Sequence, residues 1–370
     1  MRLKSLVEGV LSPADIRING TRPWDIRVWN EDFYPRVVRN GSLGLGEAYM
    51  DNWWECDRID EFFYRLMPTG PEEKLKNWKI LVNAVSALLF NRSKKSRAFQ
   101  IGERHYDLGN DLFERMLDRR MVYTCGYWKE ADGLDEAQEA KLDLVCRKIR
   151  LKKGDRVLDI GCGWGSFARF AAERYGAVVT GITVSKEQAE FGNGRCKGFG
   201  VDIRLKDYRD LKGERFDHIV SLGMFEHVGF RNYGSYMEIV DRLLKDDGLF
   251  LLQTIGNSMT LVTTDKWMAK YIFPNSHLPS LKQISAAAEP FFIIEDVHNF
   301  GADYDKTLMS WHKNFEKSWE ELDGAYDERF YRMWRYYLLM CAGLFRSRSL
   351  QLWQIVLSKK GVPAGYSPLR

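Results

Sequence analysis

Apolar and polar positions change their period several times along the 370-residue chain. Residues 1–70 alternate short apolar segments with turn signals. Ile16-Arg17-Ile18 before Asn19-Gly20, and Ile26-Arg27-Val28, have period two and predict small strands. Asn30-Glu31-Asp32 can cap a short helix that runs through Val38 and stops at Asn40-Gly41. Gly44-Leu45-Gly46 predicts a turn into another short helix, with Trp53 and Trp54 on different faces of it. From Glu72 to Phe90, Trp78, Leu81, Val82, Val85, Leu88 and Leu89 recur at helical spacing, and the basic run Arg92-Ser93-Lys94-Lys95-Ser96-Arg97 follows. That combination fits a helix lying at a lipid interface; it fits equally a packing helix followed by a solvated linker.

From Gly154 onward the pattern alternates between strand and helix. Strands are predicted at 156–160, 177–182, 201–205, 216–222 and 249–255, and helices at 166–175, 185–199 and 232–244. Two later strands, near 291–297 and 351–357, flank a long helical stretch around 306–346. Such alternation implies an α/β fold with a parallel sheet, whose ligands lie beyond the carboxyl ends of the strands.

One stretch carries chemistry. Val157-Leu158-Asp159-Ile160 runs into Gly161-Cys162-Gly163-Trp164-Gly165, and a helical segment follows. Glycines there permit positive φ and let backbone amides approach a ligand, while Asp159 closes the strand where it can accept hydrogen bonds. The spacing is G-x-G-x-G, not the dinucleotide G-x-G-x-x-G, and no Walker lysine follows. It resembles motif I of S-adenosylmethionine-dependent methyltransferases; a tight turn without a ligand is the alternative. Five alternating units plus two late strands match the seven-stranded Rossmann-like sheet of that superfamily.

Composition narrows the setting. With 45% hydrophobic and 29% charged residues, a buried core is expected and disorder is not. Aromatics reach 14%, which suits a pocket or surface that handles apolar material, or an aromatic-rich core. A net charge of +4 gives no argument for nucleic acid and is compatible with a basic face toward anionic lipid. The six cysteines form no C-x-x-C, so neither zinc nor a disulfide framework is expected, and reduced thiols in a cytoplasmic protein are. No apolar run approaches the roughly 20 residues of a spanning helix, so membrane contact is expected to be peripheral.

Further segments extend the resemblance. Gly41-Ser42-Leu43-Gly44-Leu45-Gly46-Glu47, His105-Tyr106-Asp107-Leu108-Gly109-Asn110, Tyr123-Thr124-Cys125-Gly126-Tyr127-Trp128, Gly223-Met224-Phe225-Glu226-His227-Val228-Gly229, Tyr271-Ile272-Phe273-Pro274 and Asn299-Phe300-Gly301-Ala302-Asp303-Tyr304 together resemble the cyclopropane-fatty-acyl-phospholipid synthases. The resemblance covers nearly the whole chain. It implies a smaller N-terminal lipid-binding α+β domain with its linker over residues 1–100, and a catalytic domain over 101–370. The implied reaction transfers a methylene group from S-adenosylmethionine to a cis double bond of an unsaturated phospholipid acyl chain. An alkene is a weak nucleophile, so the sulfonium methyl must be aligned and water excluded. The resulting carbocation loses a proton to bound bicarbonate and the ring closes. A homodimer at the inner face of the cell membrane is also implied.

The resemblance assigns residues too. The bicarbonate set maps onto Cys125, Glu226, Ile255 (through its backbone) and Tyr304. Where the family usually has histidine before Thr-Ile-Gly, this chain has Gln253, which can donate a hydrogen bond but cannot shuttle a proton. Cofactor contacts map onto Asp159, Gly161 and Gly163 in the glycine loop, and onto Tyr123 and Thr124 over the methionine end. Thr183 and Gln188 map to the ribose region, Asp207 and Tyr208 to adenine. Cys341 matches a cysteine once considered catalytic, although the chemistry needs no thiol nucleophile and a packing role is expected. His227 is placed to orient Glu226, and His105 to fix the lid. For each residue alone a bland role remains open: Cys125 as a small buried apolar group, Glu226 or Thr183 as a cap, Tyr304 as packing, Asp207 as a loop charge. Alternative activities are methyl or methylene branching of acyl chains and methylation of a small amine; a non-catalytic lipid-binding protein on the same scaffold is a third reading.

Overall fold

The computed structural model describes residues 2–70, 109–261, 264–322 and 324–370. The helix expected over Glu72 to Phe90, the basic run after it and His105 lie outside these residues. In chain order the described elements begin with α1 (Arg2–Leu11), β1 (Arg27–Val28), α2 (Phe33–Asn40), α3 (Ser42–Met50), β2 (Trp54–Glu55), α4 (Ile59–Leu66) and α5 (Asn110–Met116). Next come α6 (Leu134–Lys148), β3 (Arg156–Ile160), α7 (Ser166–Tyr175), β4 (Val178–Thr183), α8 (Lys186–Arg195), β5 (Val201–Leu205), β6 (Phe216–Leu222), α9 (Tyr233–Leu243) and β7 (Leu244–Asn257). The chain ends with α10 (Lys266–Tyr271), α11 (Leu281–Ala288), β8 (Ile293–Asn299), α12 (Ala302–Ser318), α13 (Glu328–Arg346) and β9 (Leu350–Ser358).

Contacts divide the chain into two units, and the division is not the one expected at residue 100. One unit joins Met1–Phe90 to Val262–Pro274 and Tyr304–Leu350; the other holds Asn91–Leu261, Asn275–Asp303 and Gln351–Arg370. The later segments enter the first unit because their aromatic side chains complete its core. Tyr336 of α13 lies 5.4 Å from Tyr49 and 4.7 Å from Trp267, while Trp54 packs 5.7 Å from Phe62. Gly46 permits this: a Cβ there would stand 2.4 Å from the Trp267 ring. Arg332 binds the same core, donating to Tyr49 O at 2.6 Å and to Glu55 at 2.8 Å.

Two local expectations in this unit fail for identifiable reasons. Ile16-Arg17-Ile18 forms no strand, only a single bridge from Ile18 to Ile26. The Asp25 carboxylate takes the backbone N–H groups of Arg17 and Arg22 at 2.8 and 3.0 Å, so the Arg17 N–H is withdrawn from any ladder while its carbonyl accepts from Ile26 N in the bridge. Gly44 and Gly46 lie inside α3 and not before it, and Trp54 sits in β2, fully buried, instead of on a helix.

The second unit contains a seven-stranded sheet in the order β5-β4-β3-β6-β7-β9-β8. β3, β4, β5, β6 and β7 pair in parallel, and β8 runs antiparallel to β9. Leu158, Ile219, Phe250 and Ile355 belong to one buried cluster of the sheet; Val157, Val220, Leu251 and Val356 belong to another. The alternation along each strand feeds both faces, as a sheet covered on both sides requires. Helix 185–199 ends early, at Arg195, and β7 runs longer than 249–255. The stretch around 306–346 is two helices, the second started by Asp327, whose side chain accepts from Phe330 N at 2.7 Å. Among the described residues no helix is long and apolar enough to cross a membrane.

Candidate active site

Between β3 and β6 the chain reverses its direction of travel across the sheet, and at the carboxyl ends of these strands lies a cavity of about 180 Å³. All nine residues expected to contact the cofactor line it. Gly161 turns the chain out of β3 at φ +81°, and the N–H groups of Gly161 and Cys162 bond Ile182 O at 2.9 and 3.0 Å. A Cβ at Gly161 would come within 2.7 Å of Met224, so the loop and the end of β6 meet there without room for a side chain. Gly163 follows with open space beside it. Asp159 is buried and its carboxylate accepts no hydrogen bond among the described residues; burial pushes it up to about 7 against the pull of Lys141.

β4 ends at Thr183, whose Oγ1 donates to Gln188 Oε1 at 2.9 Å. The cap of α8 is not Thr183 but Ser185, which accepts from Gln188 N at 3.3 Å. Beyond β5, Asp207 is buried and engaged by Arg209 Nε at 2.7 Å, a partner the sequence reading missed. Tyr208 stands edge-on to Tyr236 at 5.2 Å.

Tyr123 and Thr124 come from an irregular segment that α6 holds in place. Gln138 donates to Thr124 O at 2.7 Å and Lys141 Nζ to Thr124 Oγ1 at 3.0 Å. Asp118 accepts from Arg120 N and Val122 N at 2.9 and 2.8 Å. Neither Gln138 nor Lys141 was anticipated, because α6 itself was not. Lys141 and Lys148 occupy buried positions on its inner face and break the apolar period that would have revealed it.

Cys125, Glu226, Gln253 and Ile255 also belong to this unit, outside the cavity lining. Cys125 is fully buried, its thiol 3.1 Å from Gly126 O. Glu226 Oε1 accepts from Ile255 N at 2.7 Å, while Oε2 is buried without a partner among the described residues. The Ile255 N–H is therefore already committed, and it holds the Glu226 carboxylate. Burial lifts the Glu226 carboxyl to about 7, the Ile255 N–H pulling it back. His227 lines the cavity, and burial lowers its imidazole to about 4, so it is neutral at pH 7. Gln253 Oε1 accepts from Gln354 at 2.9 Å and its Nε2 has no partner among the described residues. Tyr304 and Cys341 lie in the other unit, on α12 and α13; the Tyr304 ring packs 4.5 Å from Phe345, and Cys341 is buried.

Comparison with known proteins decides the family: the mycolic acid cyclopropane synthetase profile matches residues 93–355. The chain belongs to this cyclopropane synthetase family. It is 55% identical over 357 residues to the cyclopropane-fatty-acyl-phospholipid synthase of Escherichia coli K12, covering 96% of this chain and 93% of that one. A probable fatty acid methyltransferase of Pseudomonas putida is 40% identical over 271 residues, 69% of this chain and 68% of its own length. Among solved structures, the cyclopropane synthase MmaA2 of Mycobacterium tuberculosis superposes with a TM-score of 0.67 at 30% identity, covering 70% of this chain and 98% of that one. The mycolic acid cyclopropane synthase CmaA1 complexed with SAH and CTAB gives 0.67 at 31% identity, with the same coverage. The methyltransferase activity expected of the family rests on the same matches, and the α/β sheet agrees with these structures.

Proposed function

We propose that this enzyme transfers a methylene group from S-adenosylmethionine to a cis double bond of a phospholipid acyl chain and closes a cyclopropane ring. The observation that carries the reading is the cavity at the β3/β6 switch, where the glycine loop, Thr183–Gln188 and Asp207–Tyr208 converge with a buried carboxylate, Asp159, that has no hydrogen-bond donor among the described residues. Such an acceptor, in a pocket whose wall also includes the apolar Ile160, Leu222 and Val228, fits a small ligand with its own N–H or O–H groups. S-Adenosylmethionine bound there supplies an electrophilic sulfonium methyl. Gly161 and Gly163 let the backbone close around it, Asp159 and Thr124 hold its amino-acid end, and Asp207 accepts from its base.

Two orphaned polar atoms support a small anion beside this cavity. Among the described residues Glu226 Oε2 is an acceptor without a donor, and Gln253 Nε2 is a donor without an acceptor. Glu226 is held by Ile255, two positions along β7 from Gln253. Bicarbonate offers one O–H and acceptor oxygens, so this pair would hold it, with Cys125 close by in sequence to the cofactor segment; bound, it supplies the proton acceptor for ring closure. Gln253 replaces a charged donor with a neutral one, and the site works through hydrogen bonds alone.

The first unit is assigned to lipid recognition. Leu3 and Leu6 of α1, and Trp29, stand exposed, which suits peripheral docking on an anionic bilayer from the cytoplasmic side. A homodimer is part of the same reading. The test supplies unsaturated phospholipid vesicles with S-adenosylmethionine. Gain of CH2 in the acyl chain with cyclopropyl proton signals supports the proposal. A methyl or methylene branch, or methylation only of added amines, overturns it.

A further inference from the structure

We propose that Lys141 is a positioning residue for the amino-acid end of the methyl donor, acting through Thr124 and Asp159; this rests on the reading of the cavity given above. The Lys141 side chain has no exposed surface, yet it stands in the cavity wall. It projects from α6 where an apolar residue would complete the helix stripe, between Ala137 and Leu144. Burying an ammonium costs several kcal/mol unless polar partners surround it. Its one hydrogen bond among the described residues is to Thr124 Oγ1, at 3.0 Å.

That bond has a directional consequence. A lysine ammonium only donates, so the Thr124 hydroxyl accepts from it and keeps its own proton to give away. Thr124 lines the cavity, and no described residue takes that proton. Asp159, near the end of β3, is the converse: a buried acceptor with no donor among the described residues. A donor hydroxyl and an acceptor carboxylate in one wall match the carboxylate and ammonium of an amino acid. Lys141 sets both. It fixes the Thr124 hydroxyl as donor, and its charge is the cation that favours the ionised form of Asp159 in a dry site. The other groups facing Lys141 are Asp118 and Cys125; those near Asp159 are Cys162, Cys196 and Tyr236, all pushed by burial toward their neutral forms.

The test is calorimetric binding of S-adenosylhomocysteine to the full chain without lipid. Lys141→Met is expected to raise Kd by about tenfold, the loss of one hydrogen bond in a buried network. The KM for vesicles at saturating donor should stay within about twofold, since the lysine serves the donor and not the acyl chain. In a Thr124→Val/Asp159→Asn background the same substitution should change Kd by less than about twofold, because its targets are gone. An unchanged Kd in the wild-type background, or an equal loss in both, overturns the proposal. Should Lys141→Met fail to fold, Lys141→Gln enters the same cycle and is judged by the same outcomes. Wild-type protein that binds no S-adenosylhomocysteine removes the reading of the cavity, and this proposal with it.

Discussion

Gln354 donates its side-chain amide to Gln253 Oε1 at 2.9 Å, joining two fully buried residues on the neighbouring strands β9 and β7. The bond decides which end of the Gln253 amide is left over: with its oxygen occupied, Nε2 is the group presented elsewhere. Replacing Gln354 by leucine strands a buried oxygen, at a cost of about 1–3 kcal/mol in urea unfolding. It also frees the Gln253 amide to turn. The bicarbonate concentration for half-maximal rate should then rise about tenfold while affinity for S-adenosylhomocysteine holds. Rates in carbonate-depleted buffer with bicarbonate added back provide the check. A Gln354→Leu enzyme with the wild-type bicarbonate response would show the pair to be structural only. Gln253→His, which introduces the ring that the resemblance implies at this position, should strengthen that response; if rate and dependence do not move, the position matters less than proposed.

Glu226 gives a pH signature in stability as well as in rate. Its folded carboxyl is raised from 4.5 to about 7, mainly by burial. Between those values the folded state holds a proton that the unfolded state has released, so stability falls as pH climbs through this window. Glu226→Gln keeps an acceptor for Ile255 N–H and abolishes the titration. The variant should gain on wild type as pH rises from 5 to 8, by about 2–3 kcal/mol at the upper end. Asp159, raised in the same direction, contributes equally to both proteins and cancels. Urea melts at a series of pH values measure the gap; parallel curves for the two proteins would sink the assignment. The rate should fall by about 100-fold, the scale of a lost acid–base partner.

The parts of this molecule that were legible in sequence are those where side-chain period and backbone need coincide. β3 through β7 read correctly because Val157, Leu158, Ile219, Val220, Phe250 and Leu251 must be apolar on both faces of a covered sheet. The positions expected to meet the cofactor came from the resemblance, and the structure brings all nine to the wall of one cavity. Lys141 and Gln138 escaped because a buried polar residue looks like a solvent-facing one until its partner, Thr124, is known. The small strand at Ile16 was lost to the Asp25 side chain, a competition between side chain and ladder that alternation cannot reveal. The unit boundary was missed for a third reason. Helical period shows that α13 buries a face, but not that the face meets Tyr49 and Trp267.

Gly161 combines two demands that alanine cannot meet. Its φ of +81° lies where a Cβ is strained, and that Cβ would stand 2.7 Å from Met224. Gly161→Ala should cost about 1–3 kcal/mol in stability. Because the displaced loop is a wall of the cavity, affinity for S-adenosylhomocysteine should fall by more than about tenfold. Gly163→Ala, with positive φ but empty space beside it, should cost less on both counts. Calorimetry and thermal melts on the two variants separate strain from collision. Equal effects at the two positions would mean that contact with Met224 is immaterial.

Cys341 provides the opposite expectation, a variant that keeps its activity. The thiol is buried on α13 and burial lifts it to about 12, so no thiolate is available near neutral pH. Methylene transfer to an alkene passes through no covalent enzyme intermediate and asks nothing of a thiol. Cys341→Ala should retain activity within about threefold and lose about 1 kcal/mol of stability from the small void it leaves. The folded wild-type protein should resist alkylation at this position, read by peptide mass after iodoacetamide, and react once unfolded. Rapid labelling of the native enzyme, or a Cys341→Ala rate reduced by orders of magnitude with an intact melting curve, would return the residue to the chemistry.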